Sequence, residues 1–441
     1  MERRIDWIDA LQDARRGTLD LIADLSDEQM IGPRLDIVNP LRWEIGHMAW
    51  FQEFWLLRHL RGRQPLLAGG DVLYDSARVA HETRWDLPLP SKSQTVDYMR
   101  RVLDQIVSFY GAEELTKTSM SAQDATYFLS LATFHEDMHA EAITYTRQTL
   151  GYPHPQLHKP DDGERHCTNH EITTTDLLGD AEIPGGRFLL GSLSDQPFVF
   201  DNEMRAHEVN LEPFAIARTA TTNAEFLLFV EDAGYKRREL WSDEGWSWRQ
   251  SVGATHPVYW RFREGTWLRQ VFDELVLLED HLPVLHVNWF EAYAYCRWGR
   301  RRLPTEVEWE MAASGQPNGD GASGHKRKYP WGDDPPTRER AHLDWRSMGC
   351  VDVRALPQGD SAFGCRQMIG NVWEWTASDF KPYPGFVAGP YKEYSGPWFD
   401  DHKVLRGGCW TTRSRLIHNT YRNFYKPDRR DVWAGFRTCR L

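Results

Sequence analysis

Apolar residues recur at helical spacing through the first 150 positions of the chain. Ile5, Ile8, Leu11 and Ile22 mark one helix. Asn39-Pro40 reads as an N-cap followed by an N1 proline, opening a second helix that runs to about His59. Gln94 to Tyr110 carries Tyr98, Val102 and Ile106 on one stripe, and a fourth helix spans about Ala125 to Leu150, stopped by Gly151 and Pro153. Four helices of this length predict an antiparallel bundle. His47 falls in the second helix and His135 and His139 in the fourth, so three imidazoles can meet in its interior, where bundles build metal sites. From His154 to Thr175 the period is lost and the sequence turns polar. Beyond it come short strands, many Gly and Trp, and few helices, one of them announced by the capping box Thr305-Glu306-Val307-Glu308. The pattern predicts an α+β protein of two domains: a bundle over 1–153, a linker over 154–178 and a strand-rich domain over 179–441.

Composition narrows the partners. The 441 residues exceed one ordinary core, and 20 Trp, 16 Tyr and 20 Phe promise extensive aromatic surfaces. A formal charge of -12 argues against nucleic acid and anionic membranes, which require clustered Lys and Arg, and favours small-molecule substrates. Six cysteines (Cys167, Cys296, Cys350, Cys365, Cys409, Cys439) form no C-x-x-C pair, so they read as reduced thiols. The first residues lack a signal peptide's apolar core, and no stretch reaches membrane-spanning length; a cytoplasmic protein is expected.

Candidate chemistry centres on His135-Glu136-Asp137-Met138-His139, where imidazoles four apart on a helix share a face. The string also fits H-E-x-x-H of zinc proteases. The extended protease form fails, because Ala142 and Tyr145 occupy the positions of its Gly and third His. Upstream, His47 sits in Trp43-Glu44-Ile45-Gly46-His47-Met48-Ala49, with small residues beside it. Three neutral imidazoles leave a divalent ion its full charge and open positions, which suits iron; Glu44, on the same face as His47, leaves open a two-His, one-carboxylate variant. Glu136 lies about 100° around the helix from His135 and reads as an outer or structural residue.

Together these residues resemble a known family, the two-domain nonheme iron enzymes of ergothioneine biosynthesis (EgtB-type sulfoxide synthases) and their selenium-handling relatives, the selenoneine synthases. In the bundle, Asn39-Pro40-x-x-Trp43-x-x-Gly46-His47-x-Ala49-Trp50-Phe51 and the histidine pair are similar to a DinB-type domain. In the second domain, Ile183-Pro184-Gly185-Gly186, Asp201-Asn202-Glu203, Arg301-Arg302-Leu303-Pro304-Thr305-Glu306, Gly370-Asn371-Val372-Trp373-Glu374-Trp375 and Leu405-Arg406-Gly407-Gly408 resemble a formylglycine-generating-enzyme-type domain, a variant of the C-type lectin fold. The resemblance implies His47, His135 and His139 as Fe(II) ligands, dioxygen as co-substrate, and hercynine, the trimethylated betaine of histidine, as acceptor. It implies Tyr391, in Tyr391-Lys392-Glu393-Tyr394, as proton or hydrogen-atom donor, Tyr394 as a neighbour lining the pocket, and Asn423 and Phe424 around the trimethylammonium group.

Departures from the family pattern bear on the chalcogen donor. Enzymes that use γ-glutamylcysteine carry an Asp where Tyr425 stands here, to pair with the donor's ammonium, while Arg429 keeps the position of a carboxylate-binding Arg. An ammonium without its counter-charge is costly to bury, which disfavours a charged dipeptide. Met138 replaces a Gln that touches hercynine and gives a softer wall, and Arg84 matches a donor-binding Arg. The expectation is therefore a selenoneine synthase taking a selenosugar, with an ergothioneine-type synthase using γ-glutamylcysteine or cysteine as the alternative. A noncatalytic binding module would give the bundle histidines no role. Formylglycine-type oxidation would need a copper-binding cysteine pair, for which Cys365 and Cys409 are the candidates.

Overall fold

A computed structural model describes residues 6–110, 122–157, 179–193, 198–317 and 326–441. The chain divides into two units, Met1–Gly163 and Glu164–Leu441. The expected linker lies outside the described residues from position 158 onward, as do Ile5 and Cys167.

The first unit is built on four long helices. Helix α1 (Trp7–Ile22) starts at Asp6, whose carboxylate accepts the amides of Ile8 and Asp9. Its Ala10, Leu11, Ala14, Thr18 and Leu21 form the buried stripe that packs on the last long helix, Ala122–Leu150. Helix α2 (Leu41–Gln52) continues without a break into a π-helical stretch, Glu53–His59, which ends where the apolar pattern does. The predicted cap needs correction: Pro40 itself holds the capping position without a side-chain bond, and the Asn39 amide instead donates to Glu44 Oε1 at 2.5 Å. A short α3 (Gly70–Tyr74) follows, then α4 (Lys92–Tyr110) and α5 (Ala122–Leu150), the last closed by Gly151 at φ +63°. Helix α2 packs against both α4 and α5. One buried arginine ties all four long helices together. From α1, Arg15 pairs with Glu136 of α5 at 2.8 Å and donates to Gln52 of α2 at 2.7 Å and to the Met99 carbonyl of α4 at 2.5 Å. Glu136, fully buried there, is the structural residue its helical position predicts.

The second unit is mostly loops threaded through small sheets. One sheet orders β1 (Asp180–Ile183), β4 (Phe214–Ala217), β13 (Cys439–Arg440) and β8 (Arg301–Arg302); a hairpin pairs β2 (Gly186–Leu190) with β3 (His207–Leu211). A three-stranded sheet joins β5 (Trp260–Arg263), β6 (Thr266–Val271) and β7 (Glu274–Leu277), and a fourth sheet orders β11 (Asn423–Tyr425), β10 (Lys403–Arg406), β9 (Trp373–Asp379) and β12 (Ala434–Gly435). Helices α6 (Asn223–Glu231), α7 (Asp243–Val252), α8 (Trp289–Trp298) and α9 (Glu306–Ser314) lie between them. The box predicted at Thr305 forms: its hydroxyl accepts the Glu308 amide, and Glu308 Oε2 accepts the Thr305 amide at 2.7 Å.

The family motifs brace one another at the core. Trp309 of α9 donates its indole N–H to Glu374 of β9 at 2.7 Å, and Glu374 also takes Arg437 at 2.6 Å. Glu306 receives Arg406 at 2.9 Å and Arg422 at 2.7 Å, all three buried. Gly407, at φ +95°, lies so close to the Met368 carbonyl that a Cβ would stand 2.6 Å from it. Strand content is thus small because buried ion pairs and indoles, rather than long ladders, hold the loops. Among the described residues no helix is long and apolar enough to cross a membrane.

Candidate metal centre

Among the described residues, the one group of three or more His, Cys, Asp or Glu side chains whose ligand atoms converge is His47, His135 and His139, with those atoms within 4.8 Å of one another. The convergence follows from the helices. His135 and His139 are one turn apart on α5, their Nε2 atoms separated by 3.2 Å, and His47 reaches them from α2 with ring centroids 5.0 and 5.1 Å away. Two nitrogens at right angles around an ion with bonds of about 2.1 Å stand about 3 Å apart, so the α5 pair has a ligating separation.

The far sides of two rings are held. His47 Nδ1 donates to the Tyr74 carbonyl at 2.7 Å, and His139 Nδ1 donates to Glu44 Oε2, so each turns an Nε2 lone pair toward the centre. His135 lies flat on Phe51, centroids 3.7 Å apart at 5°, and His47 is stacked on Trp43 at 4.7 Å and 8°. Burial, followed by the neighbouring charge of His139, holds His47 down at about 3 and His135 well below the usual imidazole range. Burial would raise the Glu44 carboxyl, but the charge and hydrogen bond of His139, with help from Asn39, bring it to about 2. Neutral imidazoles at His47 and His135 and an ionised Glu44 suit a divalent cation. A nonheme iron ion therefore fits the donor set. Glu44 serves from behind His139 rather than as a ligand, so three histidines, not two with a carboxylate, face the centre. The protease reading fails on geometry, since Glu136, its required base, is locked to Arg15 and Gln52 in the bundle interior.

The remaining expected residues fall into two groups. In the bundle, Met138 is half-buried on α5, one residue before His139, and Arg84 is buried, its guanidinium given to Asn39 Oδ1 at 2.6 Å, to the Val79 carbonyl and to the face of Trp43. In the second unit, Tyr391, Tyr394 and Phe424 form one aromatic cluster. The Tyr391 and Tyr394 rings are 6.1 Å apart, Tyr394 meets Phe424 edge-on at 5.9 Å, and Phe424 is stacked on Phe380 at 4.0 Å. Burial, then the Tyr421 hydroxyl 3.4 Å away, pushes the Tyr394 phenol well above its ordinary range. Asn423 and Tyr425 alternate with Phe424 along β11 and so project to the opposite face. Arg429 lies over the Tyr425 ring at 5.2 Å and is held by both oxygens of Asp431 at 2.7 and 2.6 Å.

Sequence reading missed Tyr74, whose contribution is a backbone carbonyl that no side-chain pattern announces. It also gave Asn39 to a helix cap and Trp43 to a motif without a role. Cys365 lies in the core and Cys409 against the hydroxyls of Thr411 and Thr412, and the described cysteines are all free thiols.

A bundle with a three-histidine centre, joined to a strand-poor unit braced by buried arginines, defines a class of two-domain protein. The DinB superfamily matches residues 10–143, and the Sulfatase-modifying factor enzyme 1-like domain matches residues 170–441. The chain is 36% identical to hercynine oxygenase of Mycolicibacterium thermoresistibile, over 97% of this chain and 93% of that protein, and 35% identical to hercynine oxygenase of Mycobacterium tuberculosis, over 96% of each. It belongs to the hercynine oxygenase family. Formylglycine-generating enzyme of Streptomyces coelicolor is similar over 59% of this chain and 88% of its own length, at 32% identity.

Proposed function

We propose that this chain is an oxygen-dependent oxidoreductase that joins selenium, from a selenosugar, to the imidazole carbon of hercynine between the two ring nitrogens. The observation that carries the reading is the triad itself: three imidazoles, two with their outer nitrogens fixed, converge in a chain whose whole-length relatives are hercynine oxygenases. His47, His135 and His139 would hold Fe(II), which when bound supplies the redox chemistry with dioxygen that oxidative carbon–chalcogen bond formation requires. The chain's own residues do the rest. Glu44 and the Tyr74 carbonyl keep the ligand rings aimed, and Phe51 and Trp43 exclude water from two of them. Tyr391 serves as proton or hydrogen-atom donor. Tyr394 and Phe424 offer aromatic faces to the trimethylammonium group, which cannot donate a hydrogen bond, whereas Asn423 projects from the other face of the strand and stands apart from that pair.

The selenosugar preference rests on charge. Arg429 is already answered by Asp431, and Tyr425 presents a ring and a hydroxyl where a dipeptide's ammonium would need a carboxylate. A neutral, hydroxyl-rich donor leaves no charge unpaired there. The whole-chain likeness to hercynine oxygenases supports equally the sulfur reading, with γ-glutamylcysteine or cysteine as donor.

The test is anaerobic loading with Fe(II), then hercynine, air and either selenosugar, γ-glutamylcysteine or cysteine, with products read by mass spectrometry. A selenium adduct of hercynine as the dominant product is expected. A dipeptide sulfoxide as the dominant product would transfer the chain to the sulfur reading, and inertness toward hercynine with every donor would end both.

A further inference from the structure

We propose that Arg84 is a positioning residue of the metal centre, setting two of the three histidines through two separate arms, and that its guanidinium is not a contact for the chalcogen donor. The first arm runs through an amide. Arg84 Nη1 donates to Asn39 Oδ1 at 2.6 Å, Asn39 Nδ2 donates to Glu44 Oε1 at 2.5 Å, and the other oxygen of Glu44 accepts from His139 Nδ1. A guanidinium has five donors and no acceptor, so it can meet only the oxygen of the Asn39 amide. That choice forces the NH2 group of Asn39 toward Glu44, which must then accept on both sides. Without Arg84 the Asn39 oxygen loses a buried donor, and its amide is held less firmly against Glu44.

The second arm runs through an indole. The Arg84 guanidinium lies 3.7 Å over the Trp43 ring, and the far side of Trp43 is stacked at 8° on the His47 imidazole. Trp43 also donates its N–H to the Leu73 carbonyl at 2.8 Å, one residue before the carbonyl that fixes His47 Nδ1. Plane and edge of His47 are therefore set by the same short stretch. Arg84 is 9% exposed, and its Nη2 is turned to the Val79 carbonyl.

The proposal rests on the reading of the triad as an iron site, and the experiment separates the two. Fe(II) affinity is measured anaerobically by chelator competition for the wild-type chain, Arg84→Met, Asn39→Ala, the double variant and Arg84→Lys, beside the melting temperature of each metal-free protein and the KM for the chalcogen donor. Each single change is expected to weaken Fe(II) about tenfold or more, in line with the loss of groups that orient metal ligands. In the Arg84→Met background, Asn39→Ala should add less than about threefold, because the two share an arm. Arg84→Lys should recover only part, since an ammonium lacks the planar fork and stacks poorly. If Arg84→Met does not fold, Asn39→Ala alone carries the test, with weaker Fe(II) binding expected at a melting temperature near that of wild type. Wild-type Fe(II) affinity in Arg84→Met or Asn39→Ala, with a raised donor KM for Arg84→Met, would overturn the proposal and return Arg84 to the donor. A wild-type chain that binds no Fe(II) would instead overturn the reading of the triad.

Discussion

At the scale of single residues, the centre depends on groups that never touch the metal position. His139 is aimed by Glu44, and His47 by a carbonyl and an indole, so each of these two imidazoles carries its proton on the outer nitrogen. Tyr391 carries the proposed proton transfer, and its test is direct. Tyr391→Phe keeps the ring and its packing against Tyr394 while deleting the hydroxyl. Turnover measured by oxygen uptake should fall by about 10²- to 10³-fold, the usual worth of a positioned acid, with the KM for hercynine within about threefold. An unchanged turnover would remove Tyr391 from the chemistry.

At the scale of elements, one glycine couples a helix to a ligand. Gly46 lies in α2 beside His47, and a Cβ built on it would stand 2.2 Å from Cε1 of Tyr74, whose ring is fully buried. Helix propensity alone makes Gly46→Ala stabilising by about 1 kcal/mol. The clash outweighs this, because three atoms of the Tyr74 side chain lie within 2.6 Å of that Cβ and the whole ring would have to move. The variant should lose about 1–3 kcal/mol in urea unfolding. Fe(II) should also bind more weakly, since Tyr74 supplies the carbonyl that orients His47. A more stable variant with wild-type iron affinity would refute this coupling. Helical periodicity made α1, α2, α4 and α5 legible, and spacing made the triad legible, because both are repeats along one chain segment. What supports the triad was not legible. Asn39 reads as a cap until Arg84, 45 residues away, is seen to hold it, and Tyr74 acts through its backbone. Gly46 was noticed only as a small residue near a crowded site, although its partner, the ring of Tyr74, decides its role.

At the scale of the whole molecule, stability carries a pH signature. His286 of the second unit is buried, backbone φ +60°, between Tyr259 and Trp433. Burial, then the charge of Arg269, holds its imidazole at about 3 against backbone hydrogen bonds that act to raise it. Between its unfolded value near 6.5 and about 3, the unfolded chain takes up a proton that the folded chain refuses. The stabilisation is therefore complete above about pH 6.5 and is lost as pH falls, by up to about 1.4 kcal/mol per pH unit from this group. His47 and His135 act in the same direction in the metal-free protein. Urea midpoints at pH 7, 6 and 5 should fall for the metal-free chain and fall less steeply for His286→Asn, a residue that tolerates positive φ. Parallel slopes would contradict this assignment. The second unit was readable as an architecture from its motifs, yet their purpose required the fold. Glu306, Glu374, Arg406, Arg422 and Arg437 lie far apart in sequence and meet only as buried pairs.

The proposed reaction takes place at the hercynine carbon between the two ring nitrogens and requires the triad. Hercynine deuterated at that carbon, supplied with Fe(II), air and selenosugar, should give an adduct that has lost its deuterium, detected by mass spectrometry, and His135→Ala should give none. Recovery of unchanged deuterated hercynine, an adduct that retains the label, or equal product from His135→Ala would contradict the account.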